Sequence, residues 1–160
     1  MKKILKYLPF LPAVFGVLSL IMIFLPAIKI AGADKTYNGL TTIFGSEEDG
    51  FAFSFMNLLT YLLVIAAIAC NVIGVLKKKQ IFSYVVVACF LLATIFFFCT
   101  VNFVSFIDSL SSMADKLKEM IDLGVGSILA AIFCILGTLI SALAAFGGIL
   151  AKKYINNAQN

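Results

Sequence analysis

Four stretches of this chain run for more than 20 residues without a charged side chain: Tyr7–Ile28, Ser54–Leu76, Ile81–Phe106 and Val125–Ala151. A helix needs about 20 consecutive apolar residues to cross the hydrocarbon core of a bilayer. The pattern therefore predicts an all-α membrane protein, an antiparallel four-transmembrane-helix bundle forming one unit over residues 1–160. The later two runs are long enough to tilt or protrude. The loops between them are an acidic segment (Lys29–Phe53), a tight Lys77-Lys78-Lys79-Gln80 turn, a polar segment (Ile107–Gly124) and a tail (Lys152–Asn160).

Composition supports the membrane reading. The chain is 62% apolar and 12% charged, whereas soluble domains are nearer half apolar and one quarter charged. So small a domain could not bury that much apolar side chain in water. This excludes a soluble globular enzyme, a disordered chain and a secreted disulfide scaffold. The basic residues are all Lys, and there is no His. A His-based acid–base or metal centre is therefore ruled out, as are bidentate Arg clamps on phosphate or carboxylate.

The charges are sorted by side. Lys2, Lys3, Lys6, Lys77, Lys78, Lys79, Lys152 and Lys153 lie in the N-terminus, tight turn and tail, with no acid among them. The other two loops set Lys29, Lys35, Lys116 and Lys118 against all eight acids of the chain. Positive residues near spans stay inside, which predicts a multi-pass plasma-membrane protein with both termini cytoplasmic and loops 29–53 and 107–124 external. The lysines would also meet anionic lipid; the partner expected is the bilayer, not nucleic acid. Ala31-Gly32-Ala33 imitates a signal-peptidase site. The preceding run exceeds a usual signal core and Lys29 intervenes, so an uncleaved first span is expected.

Without a hydrophobic drive between helices in lipid, small residues must allow close packing. Ser127, Ala130, Cys134, Gly137, Ser141, Ala144 and Gly148 recur at alternating spacings of three and four, a helix-packing seam. Ala66, Cys70 and Gly74 form a shorter ridge in the second span. Cys70, Cys89, Cys99 and Cys134 all fall within spans and form no C-x-x-C, so they are expected to pack as small apolar residues. Pro9, Pro12 and Pro26 lie near the ends of the first span and read as shape.

No ionisable group sits at mid-membrane, where such groups usually mark function. That removes the embedded acid of proton-coupled carriers and small multidrug exporters, and any base for a nucleophile. The reading is of a protein that is not an enzyme and needs no cofactor or metal. Asn57, Thr60 and Asn102 lie towards the outer helix ends, as a candidate polar cavity or as bundle cross-links. In the first external loop, Tyr37-Asn38-Gly39 signals a turn, Leu40–Phe44 looks strand-like, and Phe51, Phe53 and Phe55 alternate as a second strand. A short β-hairpin follows, with Glu47-Glu48-Asp49 as a solvated acidic turn. In the second loop Leu110, Met113, Ala114, Leu117, Met120 and Ile121 recur at helical spacing, predicting an amphipathic helix stopped at Gly124. Hairpin and helix would form a small extracellular cap, with Leu110, Met113, Leu117, Met120 and Ile121 as the candidate partner surface.

The Lys2-Lys3 start, Leu25-Pro26, Tyr37-x-Gly39-Leu40, Phe44-Gly45 and the Lys77–Lys79 turn give the chain its likeness. It resembles uncharacterised small four-span membrane proteins of low-GC bacteria, a resemblance that implies a topology and no activity. It is more loosely similar to claudin-like tetraspans, which share four spans, internal termini and a strand-bearing first loop. The function expected is an accessory, scaffold or interaction subunit, with a membrane protein or a second copy as partner. The alternative is a small oligomeric transporter or pore for an uncharged or weakly polar solute. A third is an immunity-type or envelope-stress protein shielding a membrane target.

Overall fold

The computed structural model describes residues 8–32, 35–77 and 79–157, with side-chain surroundings on the last helix given as far as Ala145. After a 3-10 turn at Leu8–Phe10, α1 runs over Leu11–Ile21 and tightens into a second 3-10 turn at Met22–Phe24. Strands β1 (Pro26–Ile30) and β2 (Thr36–Asn38) follow, then α2 (Gly39–Phe44) and β3 (Phe51–Ala52). The long helices α3 (Phe55–Lys77) and α4 (Ile81–Phe98) are joined by the lysine turn. Short elements α5 (Thr100–Phe103), β4 (Ser105–Phe106), α6 (Asp108–Ser111), α7 (Ala114–Glu119) and β5 (Ile121–Leu123) lead into α8 (Val125–Asn157).

Three helices are long and apolar enough to cross a membrane: α3, α4 and the Val125–Ala145 part of α8. A third or less of each spanning window is buried, and the outward residues are large and apolar, among them Leu62, Leu91, Ile95, Ile132 and Leu139. Such a surface calls for an apolar surrounding, because contiguous patches of this size are not stable against water. The inward stripe of α3 is the more polar one, carrying Asn57, Thr60, Tyr61 and Asn71 with Val64 and Ala67. The expected ridge is not that stripe, since Ala66 faces outwards.

The first expected span, Tyr7–Ile28, is not one long helix. The apolar helical stretch ends at Phe24. Pro12 sits at the helix start, where its missing N–H costs nothing. Pro26 forces the residue before it out of the helical region, and Leu25 is extended at φ −86°, ψ 161°. The chain then enters β1 while still apolar. The third run is likewise shorter than Ile81–Phe106: α4 stops at Phe98, a turn at Cys99 redirects the chain into α5, and Val104 is extended.

α1 packs against α3 and α8, and α4 packs against the same two helices from the other side. The core between them holds Val64, Ala67, Val86, Phe90, Ala93, Phe97, Ala130, Ala131 and Cys134. Phe90 fills the centre, its ring lying where a Cβ on Gly16 or Gly137 would meet it, at 3.2 and 3.0 Å. Ser19 ties α1 to α8, with its hydroxyl 3.1 Å from the Ala130 carbonyl and 3.3 Å from Cys134 Sγ.

At one end of the bundle lies a three-stranded antiparallel sheet, ordered β2-β1-β5, beside a β3-β4 pair. Ile28 of β1 faces Tyr37 on one side and Leu123 on the other. Ile28, Tyr37, Phe51, Val104 and Ile121 form a second small core. The sheet is joined to α8 through one carbonyl: Ala27 O accepts from Gly124 N–H (2.8 Å) and from the Ser127 hydroxyl (3.1 Å). Gly124 is therefore not a helix stop but a place where only a bare Cα fits, since a Cβ there would overlap the Pro26 carbonyl oxygen.

Leu40–Phe44, expected as a strand, lies in α2. The cause is local. Asn38 is extended and its side-chain oxygen accepts from Thr41 N–H (2.9 Å) and Thr41 Oγ1 (3.1 Å), an N-cap. Gly45, at φ +83°, ends the helix with its N–H on Thr41 O. The expected second strand shrinks to Phe51–Ala52. The amphipathic helix of the second loop is two short helices broken at Ser112–Met113, and Ile121 belongs to β5. An edge strand and a helix face share the same apolar residue at that position, so helical spacing alone could not separate them.

Candidate functional site

Two places bring together residues with something left to bind. The first is at the sheet end. Leu110, Leu117, Met120 and Ile121 converge with Ile30, Tyr37, Phe51 and Phe106 around a cavity of about 120 Å³. Four of the five residues expected as a partner surface therefore meet across one hollow. Ile121 is its buried floor, Leu110 and Leu117 are half-buried, and Met120 is 53% exposed. Met113 stands 59% exposed at the break between α6 and α7. Gly50, at φ +79°, lets Leu110 close against the β3 turn. Three aromatic rings line up beneath: Tyr37 meets Phe51 edge-on at 4.7 Å, and Phe51 stacks with Phe106 at 5.7 Å.

One rim of this hollow is a charged knot. Asp49 Oδ1 accepts from Lys35 Nζ (2.7 Å) and from the Tyr37 hydroxyl (3.2 Å), and Oδ2 accepts from Ser46 Oγ (3.0 Å). The Lys35 ammonium also lies 5.4 Å from the centre of the Tyr37 ring, within range of a cation–π attraction. The hydrogen bond from Lys35 holds the Asp49 carboxyl below its ordinary range, helped by Ser46, and Asp49 raises Lys35 in turn. Of the acidic turn, Glu47 and Glu48 are solvated while Asp49 is turned inwards. Among the described residues no group of three His, Cys, Asp or Glu is placed to hold a metal ion.

The expected polar trio is not brought together. Asn57 and Thr60 are buried on α3, whereas Asn102 is exposed on α5. Asn57 Nδ2 donates to Thr42 O (3.1 Å), tying α3 to α2, and Thr60 donates to Met56 O within its own helix. Asn102 contributes its carbonyl to Lys118 Nζ (3.0 Å). Of the seam, Ser127, Ala130, Cys134, Gly137 and Ser141 are buried, but Ala144 is exposed and the buried place passes to Ala145. A straight helix turns every 3.6 residues, so a 3.5-residue stripe drifts off the contact face over several turns. Gly148 lies beyond the side chains described.

The second place is at the lysine end, where no motif or spacing in the sequence marks a site. Between the start of α1, the end of α3, the start of α4 and α8 lies a cavity of about 310 Å³. Asn71, Lys79, Gln80, Ser83 and Ser141 supply its polar walls; Pro12, Cys70, Val75 and Ile140 are among the apolar ones. Asn71 Oδ1 and Ser141 Oγ are buried without a hydrogen-bond partner among the described residues. The available signal was the position of Asn71 and Ser83, each within about two turns of the lysine turn.

No protein family model, no curated protein and no solved structure matches the chain.

Proposed function

We propose that this is a four-span plasma-membrane protein with both termini cytoplasmic, a non-enzymatic accessory, scaffold or interaction subunit working through its sheet end and the α8 seam. The observation that carries the reading is the Met120–Leu117 rim. Met120 stands exposed and Leu117 half-buried over a mostly apolar hollow, in the part of the chain that otherwise concentrates its acids. Methionines in such a setting suit a surface that re-packs against a partner. A fourth crossing is supported by length. Leu8–Phe24 combines eleven α-helical residues with two 3-10 turns, about 28 Å at the respective rises, close to the roughly 30 Å hydrocarbon thickness. The lysine distribution supports the orientation.

The test is co-purification in mild detergent of the wild-type chain and of a Leu117→Ser/Met120→Ser double variant. A stoichiometric membrane-protein partner or second copy should stay with the wild type. The double variant should lose it by tenfold or more, while the melting of the bundle stays unchanged. The runner-up, a small oligomeric transporter or pore, is favoured by the cavity between the four helices at the lysine end. Its test is solute flux in proteoliposomes. Flux lost with Asn71→Ala/Ser141→Ala, which line that cavity, together with an assembly indifferent to the Leu117/Met120 pair, would reverse the ranking.

A further inference from the structure

Most buried polar atoms in this protein are committed. Ser19, Thr42, Ser54, Thr100 and Ser127 all donate to main-chain carbonyls. Three atoms break that pattern among the described residues: Asn57 Oδ1, in a side chain whose Nδ2 donates to Thr42 O, and, together at the lysine end, those of Asn71 and Ser141. Asn71 and Ser141 face the 310 Å³ cavity from α3 and α8, are 9% and 2% exposed, and leave Oδ1 and Oγ without partners among the described residues. Native interiors leave few such atoms unpaired, so each needs a reason. The neighbouring amide does not supply one: Gln80 places an Nε2 hydrogen on Ala145 O (3.1 Å) and makes no hydrogen bond to Asn71 Oδ1 or Ser141 Oγ. The volume is at the lower edge of small-ligand sites, roughly 300–1,000 Å³, which are typically apolar with a few convergent polar groups. Deeper in the bundle Phe90, with Gly16 and Gly137 against its ring, closes the axis. A ligand therefore enters and leaves by the lysine end.

The chemistry of the walls specifies the ligand. Asn71 Oδ1 is an acceptor and needs a donor; Ser141 and Ser83 can do either. A hydroxyl, which both donates and accepts, satisfies all three. At the mouth stands the exposed ammonium of Lys79, in a turn that holds lysines and no acid, so the outer part of the ligand is an anion rather than a zwitterion. We propose that this cavity binds a phosphoglycerol group, glycerol hydroxyls inward on Asn71 and Ser141 and phosphate outward on Lys79. Two sources carry that group: an anionic phospholipid of the adjoining leaflet and a soluble glycerol phosphate. The site lies at the opposite end from the partner surface and stands or falls independently of it.

The experiment uses the full chain in mild detergent, with bound ligand counted by native mass spectrometry. Three probes are titrated: phosphatidylglycerol, phosphatidylethanolamine and glycerol 3-phosphate. One phosphatidylglycerol should bind per chain, at least tenfold tighter than phosphatidylethanolamine. Asn71→Leu should weaken it tenfold or more. Lys79→Gln should weaken it several-fold and erase the preference over phosphatidylethanolamine. The lipid-facing Leu92→Ala should leave binding unchanged. If Asn71→Leu does not fold, Ser141→Ala, which keeps the helix contact, takes its place with a several-fold loss expected. Displacement of the lipid by millimolar glycerol 3-phosphate supports the headgroup chemistry and assigns it to the soluble source; failure to displace assigns it to the lipid. Binding that is equal for the two phospholipids, unaffected by Asn71→Leu and Ser141→Ala, or absent for all three probes overturns the proposal and leaves a water-filled cavity.

Discussion

Replacing Gly124 with Ala adds one methyl group, and the structure sets its cost. The new Cβ would overlap the Pro26 carbonyl oxygen and lie 2.7 Å from Ala27 C and 2.8 Å from Ile28 N. All three are main-chain atoms of β1, so no rotamer change relieves the clash. Either β1 or the start of α8 must withdraw. Withdrawal stretches the two bonds that Ala27 O accepts, from Gly124 N–H and from Ser127 Oγ. At about 1 kcal/mol per intramolecular hydrogen bond, with an overpacking cost of about 1–3 kcal/mol added, the loss is about 3–5 kcal/mol. Two other glycines calibrate the estimate. At Gly126 the same addition meets Leu25 O and Pro26 O at 2.9 Å, a milder overlap. At Gly32 it meets nothing within 4 Å, and only the φ of +80° resists, costing roughly 1–2 kcal/mol. Thermal unfolding in one detergent should rank Gly124→Ala as the least stable, Gly126→Ala next and Gly32→Ala nearest the wild type. A Gly124→Ala protein melting with or above Gly32→Ala would refute the contact and, with it, the docking of the sheet onto α8.

The charged knot should respond to pH in a set direction. Asp49 is held below its ordinary 3.8 by Lys35, so the knot contributes fully above about pH 4 and fades as pH falls through the lower folded value. Lys35 is raised, so its share is complete below about pH 10 and is lost as pH rises through the folded value. Asp49→Asn should thus melt below the wild type at pH 7, with the gap closing towards pH 2.5; a gap of constant size from pH 7 to 2.5 would exclude the carboxylate as its cause. Single cysteines placed at Lys77 or Lys79 in a Cys-free background should react with a membrane-impermeant maleimide only after the cells are opened, and labelling of intact cells would reverse the proposed orientation.

The long spans were legible because nothing but apolar content is needed to make them: α3 coincides with its expected run to within a residue at each end. What failed was the assumption that an apolar run is one element. Ala27 and Ile28 extend the first run by composition, yet Pro26 has already ended the helix and β1, paired with β2 and β5, buries both side chains. Cys99 and Val104 break the third run with no Pro or Gly to announce it. Tyr37-Asn38-Gly39 did mark a structural boundary. Its meaning depended on Thr41 three residues on, which turned a hairpin signal into a helix cap. The sheet-end hollow was half legible, through the stripe from Leu110 to Ile121. Its other wall comes from Ile30, Tyr37 and Phe51, and only the tertiary fold brings them there. The lysine-end cavity was not legible, because hydroxyls and amides in a span usually satisfy themselves locally, and sequence does not say which ones fail to.

The bonds that hold α1 and β1 in place come from the far end of the chain: Ser19 reaches Ala130 across 111 residues and Ala27 meets Ser127 across 100. A ribosome adding about 5–20 residues per second takes about 5–20 seconds to make that stretch. During that time the N-terminal segment has α3 and α4 to lean on but no β5, and the edge of β1 that faces β5 is open. The fold is closed by a segment translated after α3 and α4. A chain stopped before Gly124 would carry two long helices apolar enough to cross a membrane and a bare strand edge, the kind of intermediate on which quality control acts.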